Sequence, residues 1–435
     1  MEFKTLKLDD ICSVITDGSH SSPKASTNGY PMLSVKDMKA LDFDYSNVKL
    51  IAEEDYTKLV KNGCKPMKDD VLIAKDGNSC LEYCFVFREP MEVVLLSSIA
   101  ILRPKKNIIN PYYLMYYLGM ESTKGELKQG YLSGSAIPRV VLKDFKLYPV
   151  RFPSLDVQNK IVDLIKAINH KLESNEIIIS NLEQLAQTLF KRWFVDFEFP
   201  NENGDPYKSS GGEMVESELG MIPANWTIEK LGDVTEIQNG FAFKSKDYVK
   251  DGIKVLRTLN INSAGMIINN DDLKYLPQAF YSDDKYQKQQ LKRFDSLLVM
   301  VGSTIGKLGL VLSRNLPSLQ NQNMWRFRSK NDKLSNTILY FYLKEVIIAT
   351  ENWRSGSARE FFRKDSFSKY EIVMPDDSFL ISNRNMFVKI FEQIDGCNSQ
   401  NEVLNDLRDI LLPKLLSGEI ELPEETEVTE DVPIS

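Results

Sequence analysis

The sequence predicts an α+β (mixed α/β) protein built from two tandem domains, each followed by a long helix. Ser-Gly-Ser-Ala at residues 133–136 returns at residues 355–358, and the prolines that follow, Pro153 and Pro375, keep the same offset of 222 residues. This length indicates a duplicated domain, because the units of solenoid proteins span about 20–50 residues. Heptad patterns follow both copies, so we expect pseudo-two-fold organisation, with the two long helices forming an antiparallel coiled coil.

The two predicted domains, residues 1–153 and 219–377, share an order of strand patterns and glycine turns. Apolar strand patterns run into glycine turns at Gly18, Gly77, Gly240 and Gly302. Short β runs alternate with helical pieces in both domains. This alternation favours α+β or mixed α/β domains over a doubly wound fold with regular crossover helices.

Residues 154–197 are predicted to form the first long helix. Ten positions recur at alternating intervals of four and three residues; nine are apolar and the tenth is Asn175. This period is typical of coiled coils, in which one polar seam residue often sets the register. About 40 residues with a rise of 1.5 Å would make a rod of roughly 60 Å, long enough to hold two domains apart. The apolar seam positions are Ile161, Ile165, Ile168, Leu172, Ile179, Leu182, Ala186, Leu189 and Trp193.

Residues 378–417 are predicted to form the second long helix, with a weaker stripe. Asn401 and Arg408 interrupt the stripe, and Pro413 should kink the helix or end it one turn early. Each helix could simply pack on its own domain, but two such rods in one chain most simply pair with each other. The apolar positions of the stripe are Phe387, Ile390, Ile394, Cys397, Leu404, Leu411 and Leu415.

The net charge of −7 is unevenly distributed. A polar linker at residues 198–218 carries six acidic residues and one lysine, and a tail at 418–435, which we expect to be disordered, carries seven acidic residues and no base. By contrast, residues 1–153 sum to +2 and residues 219–378 to +5, which permits contact with nucleic acid. No run approaches the roughly 20 apolar residues of a membrane span, and the N-terminus lacks a signal-peptide pattern. We therefore expect a cytoplasmic protein with no membrane contact.

The common catalytic and metal-binding motifs do not occur in convincing form. Residues 302–307 resemble a phosphate loop but have three residues between the glycines, and Leu308 replaces the Ser or Thr that would hold Mg²⁺. Cys80 and Cys84 have no second pair that would complete a metal site. The sequence therefore predicts a non-catalytic protein that binds no metal or cofactor of its own.

Three local sequences, in this order with the duplicated plan, resemble a known family. They are residues 190–197 (FKRWFVDF), residues 220–226 (GMIPANW) and residues 239–244 (NGFAFK). The chain resembles the DNA-specificity subunit of type I restriction-modification systems over nearly its whole length. The first domain lacks the Pro-x-x-Trp opening of residues 223–226, and the second helix carries the interruptions described above.

The resemblance implies how such a chain works. Residues 1–153 and 219–377 would be target-recognition domains, joined by conserved helices and each reading one half of a split double-stranded DNA target. Two methyltransferase (modification) subunits would bind the chain, and restriction/translocase subunits would join them for adenine methylation or cleavage. S-adenosylmethionine, ATP and Mg²⁺ would then be bound by those partners. Because residues 28–65 and 251–292 differ greatly, we expect an asymmetric bipartite target.

Loop residues beside the glycine turns are the predicted DNA contacts, because Arg, Asn, Gln, Ser and Lys recognise base edges and phosphates. The alternative for each is an ordinary solvated side chain or turn. In the first domain the candidates are Ser19, His20, Ser22, Lys24, Lys75, Asn78, Ser79, Ser133, Ser135 and Arg139. In the second they are Lys244, Lys246, Arg257, Asn260, Ser303, Lys307, Gln320, Asn321, Gln322, Asn323, Arg359 and Arg363.

Two other classes of function stay open at this point. One is a nuclease or methyltransferase with motifs too degenerate to identify. The other is a DNA-binding or interaction scaffold outside a restriction system. Turnover by the purified chain alone would indicate the first, and salt-sensitive, sequence-preferring duplex binding with the partner methyltransferase would exclude the second.

Overall fold

The computed structural model describes residues 2–88, 91–133, 138–261, 266–350 and 362–422. The chain divides into two compact units: unit 1 comprises residues 1–171 and 404–435, and unit 2 comprises residues 172–403. Two of the predicted DNA contacts, Ser135 and Arg359, lie outside the described residues, as does the second Ser-Gly-Ser-Ala sequence.

Unit 1 contains the first domain together with parts of both long helices. Its strands are β1 (Lys4–Lys7), β2 (Cys12–Asp17), β3 (Tyr30–Leu33), β4 (Lys49–Ile51), β5 (Val71–Ala74), β6 (Cys84–Val86), β7 (Val94–Leu95), β8 (Ile99–Pro104) and β9 (Pro149–Phe152). Its helices are α1 (Leu8–Ile11), α2 (Glu53–Lys61), α3 (Pro111–Gly119), α4 (Glu121–Gly130), α5 (Leu142–Phe145) and the first part of α6 (Leu155–Phe190).

Three sheets organise unit 1. The four-stranded sheet has the order β2-β8-β5-β6, the three-stranded sheet β4-β3-β7, and β1 pairs with β9. Within the three-stranded sheet, β3 and β7 are parallel. Strand β5 is buried along its whole length, so its sequence is a continuous apolar run rather than an alternating one.

Unit 2 contains the second domain together with the remaining parts of the long helices. Its strands are β10 (Met214–Ser217), β11 (Gly220–Pro223), β12 (Thr227–Lys230), β13 (Thr235–Asn239), β14 (Ile253–Leu256), β15 (Lys274–Leu276), β16 (Ser296–Val299), β17 (Leu308–Leu310), β18 (Ser318–Gln320), β19 (Met324–Ser329) and β20 (Glu371–Met374). Its helices are α7 (Leu231–Val234), α8 (Ala279–Ser282), α9 (Asn336–Ala349), α10 (Lys364–Lys369) and most of α11 (Asp377–Ser417).

The sheets of unit 2 repeat those of unit 1. The orders are β13-β19-β16-β17, β15-β14-β18 and β12-β20, and β14 is again parallel to β18. A hairpin of β10 and β11 precedes this set. The duplicated mixed α and β architecture that the sequence predicts is therefore present in the structure.

A buried ion pair also repeats between the two domains. The guanidinium of Arg103 donates to both carboxylate oxygens of Asp70, each at 2.8 Å. Arg328 donates in the same way to Asp295, at 2.7 and 2.6 Å. Both carboxylates are completely buried just before β5 or β16. Each pair thus ties the start of one strand to its neighbour, β8 or β19.

The two long helices contact each other in antiparallel orientation within each unit. In unit 2, Asn175 Nδ2 donates to Asn401 Oδ1 at 2.8 Å, and the rings of Phe194 and Phe387 lie 5.9 Å apart. As residue numbers rise along α6 they fall along α11, which confirms the predicted antiparallel pairing. In unit 1, Arg408 donates to Asn169 Oδ1 at 3.4 Å.

All thirteen seam residues named as the coiled coil are buried or half-buried in the structure. They are Ile161, Ile165, Ile168, Leu172, Asn175, Ile179, Leu182, Leu189, Phe387, Ile390, Ile394, Leu404 and Leu411. The helices also pack on the domains, because Asp395 of α11 accepts from Arg293 at 2.5 Å within unit 2.

Two details of the helices differ from the predictions. Pro413 does not end helix α11 one turn early, because the helix continues to Ser417 with the proline inside it. The apolar contacts of Leu415 and Leu416 in the core of unit 1 stabilise this last turn. Helix α6 ends in a π-helical turn, Lys191–Val195. Within the described ranges, no helix combines the length and apolar character that a membrane span requires.

Candidate nucleic-acid interface

The loops that follow β2 and β5 meet at one edge of the four-stranded sheet of unit 1. Both strands are antiparallel to β8, which lies between them, so their carboxyl ends share the edge where β8 begins. We call residues 17–20, 75–77, 95–98 and 138–140 loop edge 1.

Backbone hydrogen bonds hold loop edge 1 together, and five of them have counterparts in unit 2. The donor–acceptor pairs are Gly18 N to Ile99 O (3.3 Å), Ser19 N to Leu95 O (2.7 Å), Ser97 N to Ser19 O (2.9 Å), Lys75 N to Ser98 O (2.8 Å) and Val140 N to Lys75 O (2.9 Å). Their amides and carbonyls come from four separate segments of the chain. The side chains on those segments are therefore presented on a fixed backbone.

Carboxylates alternate with basic side chains along loop edge 1. His20 Nε2 lies 3.3 Å from Asp17 Oδ1, and Asp17 Oδ2 lies 3.4 Å from Lys75 Nζ. Lys75 Nζ in turn donates to Asp76 Oδ1 at 2.9 Å, and Arg139 Nε donates to the same oxygen at 3.1 Å. Three predicted contact residues, His20, Lys75 and Arg139, are thus brought together by two carboxylates.

Lys75 is corrected from a predicted DNA contact to an internal support. Its side chain is only 4% exposed and lies against both Asp17 and Asp76. Two carboxylates neutralise its charge, and a buried ammonium needs such partners. Ser19 is buried as well, and its hydroxyl donates to Ser21 O at 2.7 Å.

The other described candidates of the first domain are accessible to different degrees. Ser22 accepts from Lys49 Nζ at 2.7 Å, so Lys49 belongs to this surface although the sequence reading missed it. Asp17 and Asp76 were missed too, and their signal was a carboxylate directly before a glycine turn. His20, Ser22, Lys24, Asn78 and Arg139 are exposed, whereas Ser79 and Ser133 are half-buried.

Unit 2 repeats the arrangement at the edge where β19 begins. We call residues 239–241, 300–302, 320–323 and 362–363 loop edge 2. The corresponding five hydrogen bonds are Gly240 N to Met324 O (3.3 Å), Phe241 N to Gln320 O (3.2 Å), Gln322 N to Phe241 O (3.0 Å), Met300 N to Asn323 O (3.1 Å) and Phe362 N to Met300 O (3.0 Å). The backbone framework is therefore the same at both edges.

The side chains on the two frameworks differ in chemistry. Met300 occupies the position of Lys75, and Asn239 that of Asp17, as their places in the two hydrogen-bond sets show. Gln322 and Asn323 are exposed at loop edge 2, and Asn323 has a φ of 68°. Loop edge 1 presents carboxylates alternating with basic groups, whereas loop edge 2 presents amide and apolar groups together with the exposed Arg363.

Two candidates of the second domain are corrected because they are buried. Gln320 is the last residue of β18, and its Nε2 donates to Met324 O at 2.8 Å and Gln238 O at 3.3 Å. Asn260 accepts from Arg257 N at 2.9 Å and donates to Asp271 O at 2.8 Å. Both amides serve internal hydrogen bonds and stabilise the loops that carry their neighbours.

The remaining candidates of the second domain lie at or near the surface. Arg257 is half-buried and its guanidinium donates to Asp272 O, while Asn321 Nδ2 lies 3.5 Å from Tyr248 Oη. Lys285, which the sequence reading missed, lies 5.4 Å above the ring of Phe241. Lys244, Lys246, Ser303 and Arg363 are exposed, and Lys307 is half-buried.

Clusters of potential metal ligands and the state of the cysteines can be read directly from the described residues. Among the described residues, no group of three or more His, Cys, Asp or Glu side chains lies close enough together to hold a metal ion. The five cysteines are free thiols, and Cys12, Cys64 and Cys80 are buried.

The chain is similar to DNA-specificity proteins of type I restriction systems. The sequence profile of the family described as "Type I restriction modification DNA specificity domain" matches residues 1–184 and 223–405. The HindI specificity subunit of Haemophilus influenzae is 27% identical, covering 96% of this chain and all of that protein. The MjaIX specificity subunit of Methanocaldococcus jannaschii is 23% identical, covering 74% of this chain and 71% of that one.

Comparison with solved structures supports the fold. The type I restriction-modification S subunit from M. genitalium has a TM-score of 0.57 and 14% identity, with 98% of this chain and 97% of that one covered. The family profile matches both domains of the chain in turn. The protein therefore belongs to the family of DNA-specificity subunits of type I restriction-modification systems, whose members carry the recognition function and leave catalysis to partner subunits.

Proposed function

We propose that loop edges 1 and 2 each contact one half of a split double-stranded DNA target. The observation that carries this proposal is the repeated set of five backbone hydrogen bonds, which supports different side chains in the two domains. A backbone framework that is the same at both loop edges but carries different exposed side chains suits two domains that recognise different base sequences. The target would accordingly be bipartite and asymmetric.

The chemistry of the exposed groups fits base edges and phosphates. Arg139 carries a guanidinium, and Gln322 and Asn323 carry amides, which are the groups that favour guanine and adenine respectively. Exposed lysines such as Lys24 and Lys244 suit phosphates, which fix the position of a protein on DNA without reading its sequence. The two domains carry net charges of +2 and +5 over residues 1–153 and 219–378, which supports this assignment.

We further propose that the outer faces of the long helices bind two methyltransferase subunits, which restriction/translocase subunits then join. Beyond their seam, the helices leave apolar side chains in solvent. On α6 these are Ile177, Ile178 and Leu185, and on α11 they are Val403, Leu407 and Ile410. The three positions on each helix fall within about two turns, and clusters of exposed apolar side chains mark interaction sites.

The catalytic groups and cofactors would belong to the partners. S-adenosylmethionine, ATP and Mg²⁺ would be bound by the methyltransferase and restriction subunits, and this chain would bring the methyltransferase to an adenine within the target. Reaching that adenine would require the partner to flip it out of the duplex.

The test is to express the chain with the methyltransferase subunits of its own system and to map methylated adenines across the host genome. We expect one split, asymmetric motif, and no methylation or cleavage when the purified chain is incubated with DNA, Mg²⁺ and S-adenosylmethionine. Turnover by the chain alone would contradict the proposal. Binding to duplex DNA with no sequence preference would instead favour a scaffold outside a restriction system.

A further inference from the structure

Arg139 at loop edge 1 is held through one guanidinium nitrogen, which leaves its two terminal nitrogens, Nη1 and Nη2, available to a ligand. Its Nε donates to Asp76 Oδ1 at 3.1 Å, and its side chain is 60% exposed. Among the residues that the structure describes, no acceptor is bonded to Nη1 or Nη2. These two groups form the pair of parallel donors with which a guanidinium recognises a planar pair of acceptors.

The backbone around Arg139 is fixed on both sides. Asp76 and Arg139 form a β-bridge, Gly77 N donates to Pro138 O at 3.0 Å, and Val140 N donates to Lys75 O at 2.9 Å. The guanidinium therefore extends from a rigid point. This lowers the conformational entropy lost when it meets a ligand.

Asp76 is itself held by a buried row of charges. Its side chain is 14% exposed and accepts from Lys75 Nζ, which is 4% exposed and also lies 3.4 Å from Asp17. With its charge fixed by Lys75, Asp76 keeps one carboxylate oxygen on Arg139 Nε. Asp76 is thus a positioning residue that sets the direction of the arginine fork.

The charge around Arg139 favours a base edge over a phosphate. Asp17 and Asp76 offset Lys75 and Arg139, so this part of the surface has no net charge. Phosphate contacts, in contrast, depend on uncompensated cations that displace counterions. In the major groove, guanine presents the O6 and N7 acceptors at the spacing of an arginine fork.

Loop edge 2 lacks this device. The positions of Lys75 and Asp76 are occupied by Met300 and Val301, which can neither accept from a guanidinium nor hold one in place. Of the two loop edges, as far as the structure describes them, the arrangement occurs at loop edge 1. It would contribute to the difference between the two halves of the target.

We propose that Arg139 reads a guanine by a bidentate contact to O6 and N7, with Asp76 as its positioning residue. The inference rests on the proposed function, because it requires loop edge 1 to face the DNA target. The guanine lies in the half of the target that the first domain contacts.

The experiment compares variants of the full chain in the complex with its methyltransferase subunits, with methylated motifs mapped for each. For Arg139→Ala we expect one G·C pair of one half-target to become degenerate, with roughly 10- to 100-fold loss of discrimination at that pair. The other half-target should be unchanged. Arg88→Ala is the matched control, because Arg88 is an exposed arginine beyond the far end of β6 and should leave the motif intact.

Asp76→Asn tests the positioning role by a double-mutant cycle. We expect this variant to weaken discrimination at the same base pair, and to have no further effect on that pair when Arg139 is already alanine. A purely structural role would lower the yield of folded complex in both backgrounds and would leave base preference unchanged. That result would overturn the assignment of Asp76.

The outcomes separate the inference from the proposed function. If Arg139→Ala lowers methylation evenly over an unchanged motif, Arg139 contacts phosphate and the guanine assignment is wrong. A half-target of the first domain without any G·C pair would also overturn the inference. In both cases the split motif survives, and with it the proposed function. If the wild-type complex methylates no sequence-specific motif, the proposed function itself fails.

Discussion

Gly18 and Gly240 occupy the same place in the two domains, each directly after the first strand of a four-stranded sheet. A Cβ built on Gly18 would lie 2.1 Å from Leu95 O, and one built on Gly240 would lie 1.8 Å from Asn321 O. Neither distance allows any side chain, so the two loop edges depend on a glycine at this position for their close backbone approach.

Alanine at either position should therefore destabilise its own domain. For Gly18→Ala and Gly240→Ala we expect a loss of about 1–3 kcal/mol, because the backbone must shift to relieve the clash. Scanning calorimetry of the purified chain measures the change.

The controls are Gly125→Ala in α4 and Gly396→Ala in α11, where a Cβ meets nothing within 4 Å. Both controls should be stabilised by about 0.5–1 kcal/mol. Equal effects at all four positions would contradict the steric argument.

The repeated buried ion pairs should be costly to break from one side. Asp295→Ala would leave the guanidinium of Arg328 without its bidentate partner, and we expect a loss of about 3–5 kcal/mol in the second domain. Asp70→Ala should act similarly on Arg103 in the first domain. The matched control is Lys333→Ala, which breaks the exposed pair with Asp377 and should leave the melting temperature nearly unchanged. Melting temperatures as high as those of the control would show that these pairs are dispensable.

Asn175 should set the register of the helix pair more than its stability. Its Nδ2 donates to Asn401 and, at 3.3 Å, to Gln400, while its Oδ1 is buried with no hydrogen-bond partner among the described residues. We expect Asn175→Leu together with Asn401→Leu to raise the melting temperature, since an apolar pair needs no hydrogen bonds. The same double variant should alter the spacer of the methylated motif or the oligomeric state. If the spacer and the oligomer stay as in the wild type, Asn175 has no role in register.

Burial should keep the thiol of Cys12 unreactive. Burial raises its pKa to about 12, although nearby Lys105 lowers it slightly. The folded chain therefore holds Cys12 as the neutral thiol at pH 8, whereas the unfolded chain ionises it near its ordinary pKa of about 8.5. Above that pH the unfolded state gains from ionisation, so this residue reduces stability as the pH rises towards 12. Iodoacetamide at pH 8 should label Cys12 only after denaturation, and labelling of the native chain would contradict this.

The repeat and the long helices were predictable because their signals are periodic along the chain. The seam from Ile161 to Leu189 repeats within one helix, so it can be identified without knowing how the flanking domains fold. The glycine turns at Gly18 and Gly240 were also visible, and they do mark the two loop edges. What the sequence could not show was the row from His20 to Arg139, because it joins residues more than a hundred positions apart through Asp17 and Asp76.

The run of four amides at residues 320–323 shows a second limit. All four residues have the same amide chemistry, so the sequence alone does not distinguish them. In the structure Gln320 ends β18 and is completely buried, whereas Gln322 and Asn323 lie in the turn and are exposed. A shift of one or two residues in a strand boundary decides which side chain faces solvent. Strand ends are set by the neighbouring strands, here β14, and such tertiary partners leave no local pattern.

The first domain depends on the carboxyl end of the second long helix. Leu415 and Leu416 lie in the core of unit 1, and Arg151 donates through Nη1 to Ser417 O at 3.1 Å. The guanidinium of Arg151 also lies 4.5 Å above the ring of Phe3. The structural unit that carries loop edge 1 is therefore discontinuous in sequence.

A domain transplant should work best when it respects this unit. Replacing residues 1–153 with the equivalent segment of a relative should change one half of the methylated motif, but the foreign core would meet an unmatched Leu415 and Leu416 and lose stability. Replacing residues 1–171 and 404–418 together keeps these contacts matched, so this chimera should change the same half-target with a higher melting temperature. Motif mapping and calorimetry on both chimeras provide the measurement. If both halves of the motif change, recognition of the first half-target does not reside in unit 1 as an independent module. If the longer replacement is the less stable of the two, the contacts of Leu415 and Leu416 do not decide the stability of the chimera.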